Sequence, residues 1–284
     1  MRNLENVVVQ SLWIGEELTR LHQTCIQSFI NNGHVFHLYV YGVVNNIPAG
    51  VILKDANEIL SYERIFIFDQ PPYKGKYAPF SDLFRYHLLY LKGGWWVDVD
   101  VFCLKFFDIQ ETRIVCTTYN SGNDKENPSN FILKFPKEDS FVKELIQKAE
   151  GKISSLSDYV EIGPSLIDNQ TGLKSKNRPL FVPYFYFAPV SHYHTRQYIV
   201  YSHRNFLEKL KEWIRPFFRP RTAKARTIHP RSFGIHLWNE VWRQGGLDEN
   251  RKYHTSCLYE KLIKQYKINH NLPVSNNYEY SNTR

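Results

Sequence analysis

The chain has 284 residues, of which 43% are hydrophobic and 15% are aromatic, and this composition excludes an intrinsically disordered protein. Lys and Arg outnumber Asp and Glu by 36 to 28, so the formal net charge is +8. That charge favours an anionic partner without selecting its class. No apolar run reaches the roughly 18 residues that a membrane-spanning helix needs, which excludes an integral membrane protein.

The first part of the chain alternates between strand and helix patterns. Apolar residues 7–14 predict a buried strand, and apolar positions at helical spacing predict a helix over residues 16–32. Further strands are expected at residues 35–41 and 51–53. This order is typical of a mostly parallel α/β sheet, in which ligands bind at the carboxyl ends of the strands. Trp13 lies at such an end.

A helix is predicted over residues 81–91, with Ser81 as its N-cap and a pair of glycines after its end. Asp82 and Arg85 are three positions apart on this helix, so they share one face. The remaining apolar positions face a core. The helix therefore brings a carboxylate and a guanidinium together near its N-terminus.

Residues 95–102 predict a strand that carries two aspartates. Period-2 alternation places the valines on one face and Asp98 and Asp100 on the other. Two adjacent carboxylates repel each other unless a cation lies between them, and a hard divalent ion such as Mn²⁺ or Mg²⁺ suits oxygen ligands. An isolated Asp-X-Asp is more often a hydrated strand end. Here the flanking residues are large and apolar, which makes unpaired carboxylates costly and favours a metal site.

The rest of the chain predicts more elements of the same α/β kind. They are strands at residues 113–119 and 130–135 with a polar turn at 120–129 between them, helices at 140–150 and 257–266, a turn or helix start at Gly163-Pro164, an extended aromatic segment at 179–189 and a polar tail from about residue 273.

Residues 206–226 combine aromatic positions at helical spacing with several arginines and lysines. One interpretation is a helix that packs on the core with a solvated basic flank, and the other is a surface that docks on an anionic membrane. Pro216 weakens both, because proline breaks or kinks a helix. The four cysteines are scattered without a Cys-X-X-Cys pair, which indicates reduced thiols in a cytosolic protein.

His236 and Trp238 lie in an apolar stretch near the end of the predicted core. A lone histidine between apolar residues is usually a structural one. A metal held by two aspartates needs a third ligand, however, and a neutral imidazole is suitable for Mn²⁺. His236 is therefore a candidate ligand beside Asp98 and Asp100.

Residues 81–86 (SDLFRY) and 91–100 (LKGGWWVDVD) together resemble the Asp-X-Asp sugar-binding region of glycosyltransferase family 32. They are also similar to the glucosylating domains of large clostridial toxins. Weaker similarity is found at Trp13-Ile14-Gly15, at Asn130, at Gly163-Pro164 and at residues 236–238. The resemblance implies a GT-A-type, single Rossmann-like domain over residues 1–243, followed by a C-terminal helix and polar tail over residues 244–284.

The activity that this resemblance implies is retaining, metal-dependent transfer of a hexose or N-acetylhexosamine from a nucleotide-diphosphate sugar. A UDP-sugar is favoured over a GDP-sugar, Mn²⁺ or Mg²⁺ is the expected cofactor, and the acceptor is a glycan or a lipid-linked sugar. The implied roles are base stacking by Trp13, sugar binding by Asp82 and Arg85, ribose and metal contact by Asp98, metal binding by Asp100 and His236, and closure over the donor by Trp238. The expected catalytic residues are Asp82, Arg85 and Asp100.

Golgi members of this family carry a membrane anchor that is not found in this sequence. The expectation is a cytoplasmic enzyme, peripheral on the inner membrane face through residues 206–226, that builds a surface polysaccharide or glycolipid. Two alternatives stay open at this point. A haloacid-dehalogenase-type phosphatase also places Asp-X-Asp after an apolar strand, with the first aspartate as nucleophile, and the aromatic content also suits a non-catalytic glycan or membrane-surface binder. Nucleic acid is not expected, because no zinc or RNA-recognition pattern is present.

Overall fold

The structure is a computed structural model that describes residues 6–171, 178–196 and 224–270, with single positions at 199, 210, 213, 214 and 218. The described strands are β1 (Val8–Trp13), β2 (Val35–Val40), β3 (Val51–Asp55), β4 (Gly94–Val97), β5 (Val101–Cys103), β6 (Ile114–Asn120), β7 (Lys125–Phe135), β8 (Leu180–Val182) and β9 (Gly234–His236). The described helices are α1 (Arg20–Asn31), α2 (Ala78–Lys92), α3 (Ser140–Glu150), α4 (Pro164–Thr171), α5 (Asn239–Gln244) and α6 (Leu258–Gln265).

Seven strands form the central sheet in the order β3-β2-β1-β4-β7-β6-β8. β3, β2, β1 and β4 are parallel to one another. β7 is antiparallel to its neighbours β4 and β6, and β8 is parallel to β6. The remaining two strands, β5 and β9, pair with each other in a small antiparallel sheet. The predicted α/β fold with a mostly parallel central sheet is confirmed.

The core lies on both faces of the sheet. Trp95 and Trp96 are adjacent in β4 and point to opposite faces, as the period of two requires. Trp96 packs in the cluster formed with α2, α3 and α4, whereas Trp95 packs in the cluster formed with residues of α1. A third cluster joins the C-terminal helices to α1, with Trp242 and Tyr259 both fully buried in it.

The aspartates lie in a turn and not in a strand, which differs from the prediction. β4 ends at Val97 and β5 begins at Val101, and the backbone N–H of Val101 donates to the carbonyl of Asp98 at 3.1 Å. The alternation fails here because the chain leaves the central sheet and enters the small sheet. Both carboxylates still face the same region, since a turn of three residues keeps them close.

Other boundaries also differ from those expected. α2 begins at Ala78, three residues before Ser81, with Pro79 in its first turn, where the missing N–H of proline costs nothing. Its end is as predicted, since Gly93 is the C-cap with φ of 69°. β7 begins at Lys125 and not at Asn130, so the predicted polar turn is shorter.

Two predictions fall mainly outside the described residues. Of residues 206–226 the structure describes only four single positions and residues 224–226, and it does not describe the tail after residue 270. All four cysteines lie in described positions, where they are buried and form no disulfide. Within the described part of the chain, no helix is both long and apolar enough to cross a bilayer.

Candidate active site

A cavity of about 610 Å³ lies where β1 and β4 end. Trp13 is the last residue of β1, and Asp98 directly follows β4. The first turns of α2, the middle of β7 and the start of α5 complete its walls. All the predicted site residues line this cavity, namely Trp13, Asp82, Arg85, Asp98, Asp100, His236 and Trp238. A second cavity of about 570 Å³ lies around Val8 and Gly94, where β1 and β4 begin. None of the predicted site residues lines this second cavity.

Arg85 is buried and joins the two acidic parts of the site. Its guanidinium lies 3.1 Å from a carboxylate oxygen of Asp82 and 3.2 Å from one of Asp98. It also donates to the carbonyl of Asn130 at 2.6 Å and to the carbonyl and hydroxyl oxygens of Ser81. These contacts engage all three of its nitrogens, which carry five N–H donors in total. Arg85 therefore holds Asp82 and Asp98 in place. The sugar contact that the resemblance implies for Arg85 stays a prediction.

Asp82 is a buried carboxylate with two close partners, Arg85 and Asn130. The side-chain amide of Asn130 donates to Asp82 Oδ1 at 2.7 Å. Burial raises the pKa of Asp82 to about 7, although the charge of Arg85 opposes this effect. At neutral pH the carboxyl group can thus either donate or accept a hydrogen bond.

Gly163 provides the space that the Asp82 carboxylate occupies. A Cβ atom at residue 163 would overlap that carboxylate and lie 2.9 Å from Asn130 Nδ2. The hydroxyl of Tyr86 fixes the same turn by donating to the carbonyl of Ile162 at 3.1 Å. The turn before α4 is thus packed directly against the acidic side of the cavity.

Asp98, Asp100 and His236 form the group that could hold a metal ion. One ligand atom from each lies within 4.8 Å of the others. The ring Nε2 of His236 is 3.2 Å from Asp100 Oδ2, which also accepts from the backbone N–H of Asn239 at 2.9 Å. Two carboxylates and an imidazole are a suitable donor set for Mn²⁺ or Mg²⁺.

The two aspartates ionise differently. Burial raises the pKa of Asp98, the charge of Arg85 opposes this, and repulsion from Asp100 adds to the increase. For Asp100 burial acts in the same direction, but His236 outweighs it and lowers the pKa to about 2. Full ionisation of both is therefore unfavourable in the protein alone, and a bound divalent cation would remove that penalty.

His236 reaches the aspartates because β9 pairs with β5, where Val101 is opposite His236. Its ring stacks on Phe131 of β7, with centroids 4.3 Å apart. Trp238 follows with a left-handed backbone, φ 57°, and its ring centroid is 4.1 Å from that of His236. The indole N–H of Trp238 donates to the carbonyl of Val190 at 2.8 Å, which fixes the ring at the cavity wall.

Trp13 lies across the cavity, half-buried, with its ring centroid 4.5 Å from that of His22. His22 is bonded to Thr19 Oγ1 at 2.7 Å and to the amide of Asn239 at 3.2 Å. Burial lowers the pKa of His22 to about 4, so it is neutral at pH 7. His22 therefore packs against the ring of Trp13 and is also hydrogen-bonded to the side chain of Asn239.

The lining contains unused hydrogen-bonding capacity. Four residues that line the cavity each have one buried side-chain atom without a hydrogen-bond partner among the described residues, and these atoms are Ser11 Oγ, Trp13 Nε1, His236 Nδ1 and Asn239 Oδ1. Unpaired buried polar groups are rare in folded proteins. A water, an ion or a small rearrangement on ligand binding would satisfy them.

Sequence reasoning did not select several residues of this site. Asn130 and Gly163 were noted only as weak points of similarity, and His22 and Asn239 were not noted at all. Asn130 carried a signal, since a polar residue directly precedes three apolar ones at the start of a predicted strand. His22 looked like an ordinary position of an amphipathic helix, and no local pattern distinguished it.

Part of the chain is similar to a known protein family. Residues 19–115 match the family described as a glycosyltransferase sugar-binding region containing a DXD motif. No curated protein matches the chain. Among solved structures, the PaToxG glycosyltransferase is similar at 12% sequence identity with a TM-score of 0.44, over 92% of this chain and 85% of that chain.

The matched region extends from α1 to the start of β6. It contains the Asp82–Arg85 pair of α2 and the turn with Asp98 and Asp100. Asp82, Arg85, Asp98 and Asp100 thus all fall inside the matched segment. The chain is a glycosyltransferase, with a DXD-containing sugar-binding region in residues 19–115.

Proposed function

We propose that this glycosyltransferase is a retaining, metal-dependent enzyme that transfers a hexose or N-acetylhexosamine from a nucleotide-diphosphate sugar to a glycan or lipid-linked acceptor. The observation that carries the proposal is the meeting of Asp98, Asp100 and His236 with the Asp82–Arg85 pair in one cavity. The match to a glycosyltransferase family supports this proposal over the phosphatase that the Asp-X-Asp pattern suggested. It also supports the proposal over the non-catalytic binder that the aromatic content suggested.

The donor extends along the cavity from Trp13 to Asp82 in this proposal. Trp13 offers an aromatic face for the base at the end of β1. Asp98 and Asp100 lie beside the diphosphate, and Asp82 hydrogen-bonds the hydroxyls of the transferred sugar. A uridine diphosphate donor is favoured over a guanosine diphosphate donor on the resemblance to family 32 and the toxin domains.

A divalent metal held by Asp98, Asp100 and His236 would neutralise the charge that develops on the leaving diphosphate. The protein side chains keep the site ready for it. Arg85 fixes Asp98, while the backbone N–H of Asn239 and the ring of His236 fix Asp100. Such preorganised groups are commonly the largest source of rate enhancement.

Transfer breaks the bond between the anomeric carbon and the diphosphate oxygen, which leaves with the bonding electrons. The acceptor hydroxyl oxygen forms the new bond to the same face of the anomeric carbon, and its proton passes to an oxygen of the leaving diphosphate. This route needs no protein nucleophile. It is compatible with the position of Asp82, whose carboxylate is held by Arg85 and Asn130.

The cellular setting is a further part of the proposal. The resemblance favours a cytoplasmic enzyme of surface polysaccharide or glycolipid synthesis, peripheral on the inner membrane face. Residues 206–226 are the proposed membrane contact on the basis of their aromatic and basic composition. Acceptor transfer in the presence and absence of anionic vesicles tests this part separately.

The decisive experiment compares Asp100→Asn with the unmodified protein across a panel of UDP- and GDP-sugars, with and without Mn²⁺. Thermal stability and donor hydrolysis are both measured. One donor with metal should stabilise the unmodified protein, by about 2.7 kcal/mol at a concentration one hundred times Kd. Asp100→Asn should abolish this stabilisation and reduce hydrolysis by at least about a hundredfold.

Asp108→Asn is the matched control, because Asp108 is an exposed aspartate outside the cavity. It should behave as the unmodified protein does. Metal-dependent stabilisation and hydrolysis that survive in Asp100→Asn would contradict the proposed metal site. Circular dichroism of both variants confirms that the fold is retained.

A further inference from the structure

The cavity has a second end that the donor does not need. It is formed by Lys76 and Tyr77 from the segment before α2 and by Tyr159 and Val160 from the segment between α3 and α4. None of these side chains belongs to the metal group or the Asp82–Arg85 pair. We call these four residues the aromatic wall.

The aromatic wall is fixed in place before any ligand binds. Tyr73 stacks on Tyr159 with ring centroids 4.3 Å apart and an interplanar angle of 19°. Phe68 meets the same ring edge-on at 5.9 Å. Between the two segments, the side-chain amide of Gln70 donates to the carbonyl of Leu156 at 3.1 Å. A rigid wall lowers the entropic cost of binding.

The wall presents apolar and aromatic surface to the cavity. Tyr77 is 42% exposed and Val160 is 37% exposed, and both line the cavity. Tyr159 is half-buried, and its hydroxyl has no hydrogen-bond partner among the residues that the structure describes. Tyrosines that combine a ring with an available hydroxyl suit a ligand with an apolar face and a polar edge.

The one positive charge that the wall itself carries is paired. Lys76 is the only lysine or arginine of the wall, and its ammonium group lies 3.0 Å from the carboxylate of Glu240 in α5. A phosphate or carboxylate ligand would have to compete with that ion pair. The wall therefore favours a neutral ligand over an anionic one.

The wall is next to the site of transfer. The backbone N–H of Gly163 donates to the carbonyl of Val160 at 3.1 Å. A Cβ atom at Gly163 would overlap the carboxylate of Asp82, so the turn that carries Val160 is packed against Asp82. A ligand on the wall would thus have its own hydroxyls near the sugar that Asp82 binds.

We propose that the aromatic wall is the acceptor subsite and that it binds a neutral sugar ring by stacking on Tyr77 and Tyr159. This inference rests on the proposed function, and it identifies the part of the acceptor that the wall binds as a saccharide. A pyranose has an apolar C–H face for the rings and hydroxyl edges for the phenols and for the Lys76–Glu240 pair. The same sugar can be carried by a free glycan or by a lipid, and the subsite recognises the sugar in both cases.

The test separates transfer to water from transfer to an acceptor. The probes are methyl glycosides of glucose, galactose, mannose, N-acetylglucosamine and N-acetylgalactosamine, each added with the donor found in the thermal assay. Tyr77→Ala should raise the acceptor KM by about tenfold and leave acceptor-free donor hydrolysis and donor KM unchanged. Tyr159→Leu is a second variant. It removes the aromatic ring and the hydroxyl but keeps an apolar side chain in the wall. Tyr62→Ala is the control, since Tyr62 is 62% exposed and lies outside the cavity.

Unchanged acceptor KM in both wall variants would overturn the inference, and so would failure of every methyl glycoside to accelerate donor consumption by the unmodified protein. A change in acceptor-free hydrolysis that matches the loss of transfer would assign the wall to the donor instead. Absence of any donor turnover by the unmodified protein is a separate result, which would overturn the proposed function and this inference with it. Octyl glycosides of the active sugar distinguish a lipid-linked acceptor from a free glycan.

Discussion

At the scale of single residues, Asp82 has the most unusual environment in the cavity. The residue is 5% exposed, and its carboxylate is held between Arg85 and Asn130. Burial raises its pKa from 3.8 to about 7, so the folded protein holds this proton more tightly than the unfolded chain does. The stabilisation that follows is complete below about pH 4 and is lost as the pH rises to about 7.

We therefore expect Asp82→Asn to change the pH dependence of stability. An asparagine does not titrate, so the variant should gain stability relative to the unmodified protein as the pH rises from about 4 to about 7, and the difference should then level off. Urea denaturation of metal-free protein at a series of pH values measures this difference. Asp108→Asn serves as the control, and a pH-independent difference for Asp82→Asn would show that Asp82 has an ordinary pKa in the fold.

At the scale of elements, the site depends on how closely the turn before α4 approaches α2 and β7. Gly163 is the point of closest approach, because a side chain there would meet Asp82 and Asn130. The contact is between backbone and a buried charged side chain. Neither partner can move freely, since Asp82 is fixed by Arg85 and Asn130 is part of β7.

Gly163→Ala should accordingly reduce both stability and transfer. The added methyl group must displace Asp82 or the turn, which should cost about 1–3 kcal/mol. Gly151→Ala is a matched control, because its Cβ would meet only ordinary contacts, the nearest at 3.5 Å, and should change stability by no more than about 0.5 kcal/mol. Equal urea midpoints for the two variants would contradict the close approach.

At the scale of the whole molecule, the C-terminal part is joined to the first helix. Arg20 of α1 forms two hydrogen bonds with Glu260 of α6 at 2.8 and 2.9 Å. Tyr259 is fully buried, with its hydroxyl 3.1 Å from Thr24 Oγ1. The division into residues 1–243 and 244–284 stays a prediction, and these contacts provide a way to test it.

Tyr259→Ala should destabilise the whole protein by about 3–5 kcal/mol, because it leaves a cavity between α1 and the C-terminal helices. Tyr259→Phe should cost only about 1 kcal/mol, since it removes one hydrogen bond. If the C-terminal part folds with the rest, both variants keep a single cooperative transition in urea. A separate early transition in Tyr259→Ala would instead support two independently folding units.

The sequence by itself determined the local features of this protein. Hydrophobic periodicity predicted the alternation of strands and helices, because each period follows from backbone geometry alone. The spacing of Asp82 and Arg85 placed both on one face of α2 for the same reason. Asp98 and Asp100 are so close in the chain that their carboxylates meet in a turn as they would in a strand. The prediction of a strand was wrong, but it placed both carboxylates in the same site.

The tertiary structure decided the contacts between distant segments. His236 reaches Asp100 across 136 residues because β9 pairs with β5, and no local pattern encodes that pairing. Asn130 meets Asp82 because β7 lies beside β4, and Gly163 meets both because α4 packs on β7. The fold likewise decided that Arg85 donates to Asn130 and pairs with Asp98. Side-chain periodicity acts over a few residues, whereas strand order and helix packing depend on the free energy of the whole core.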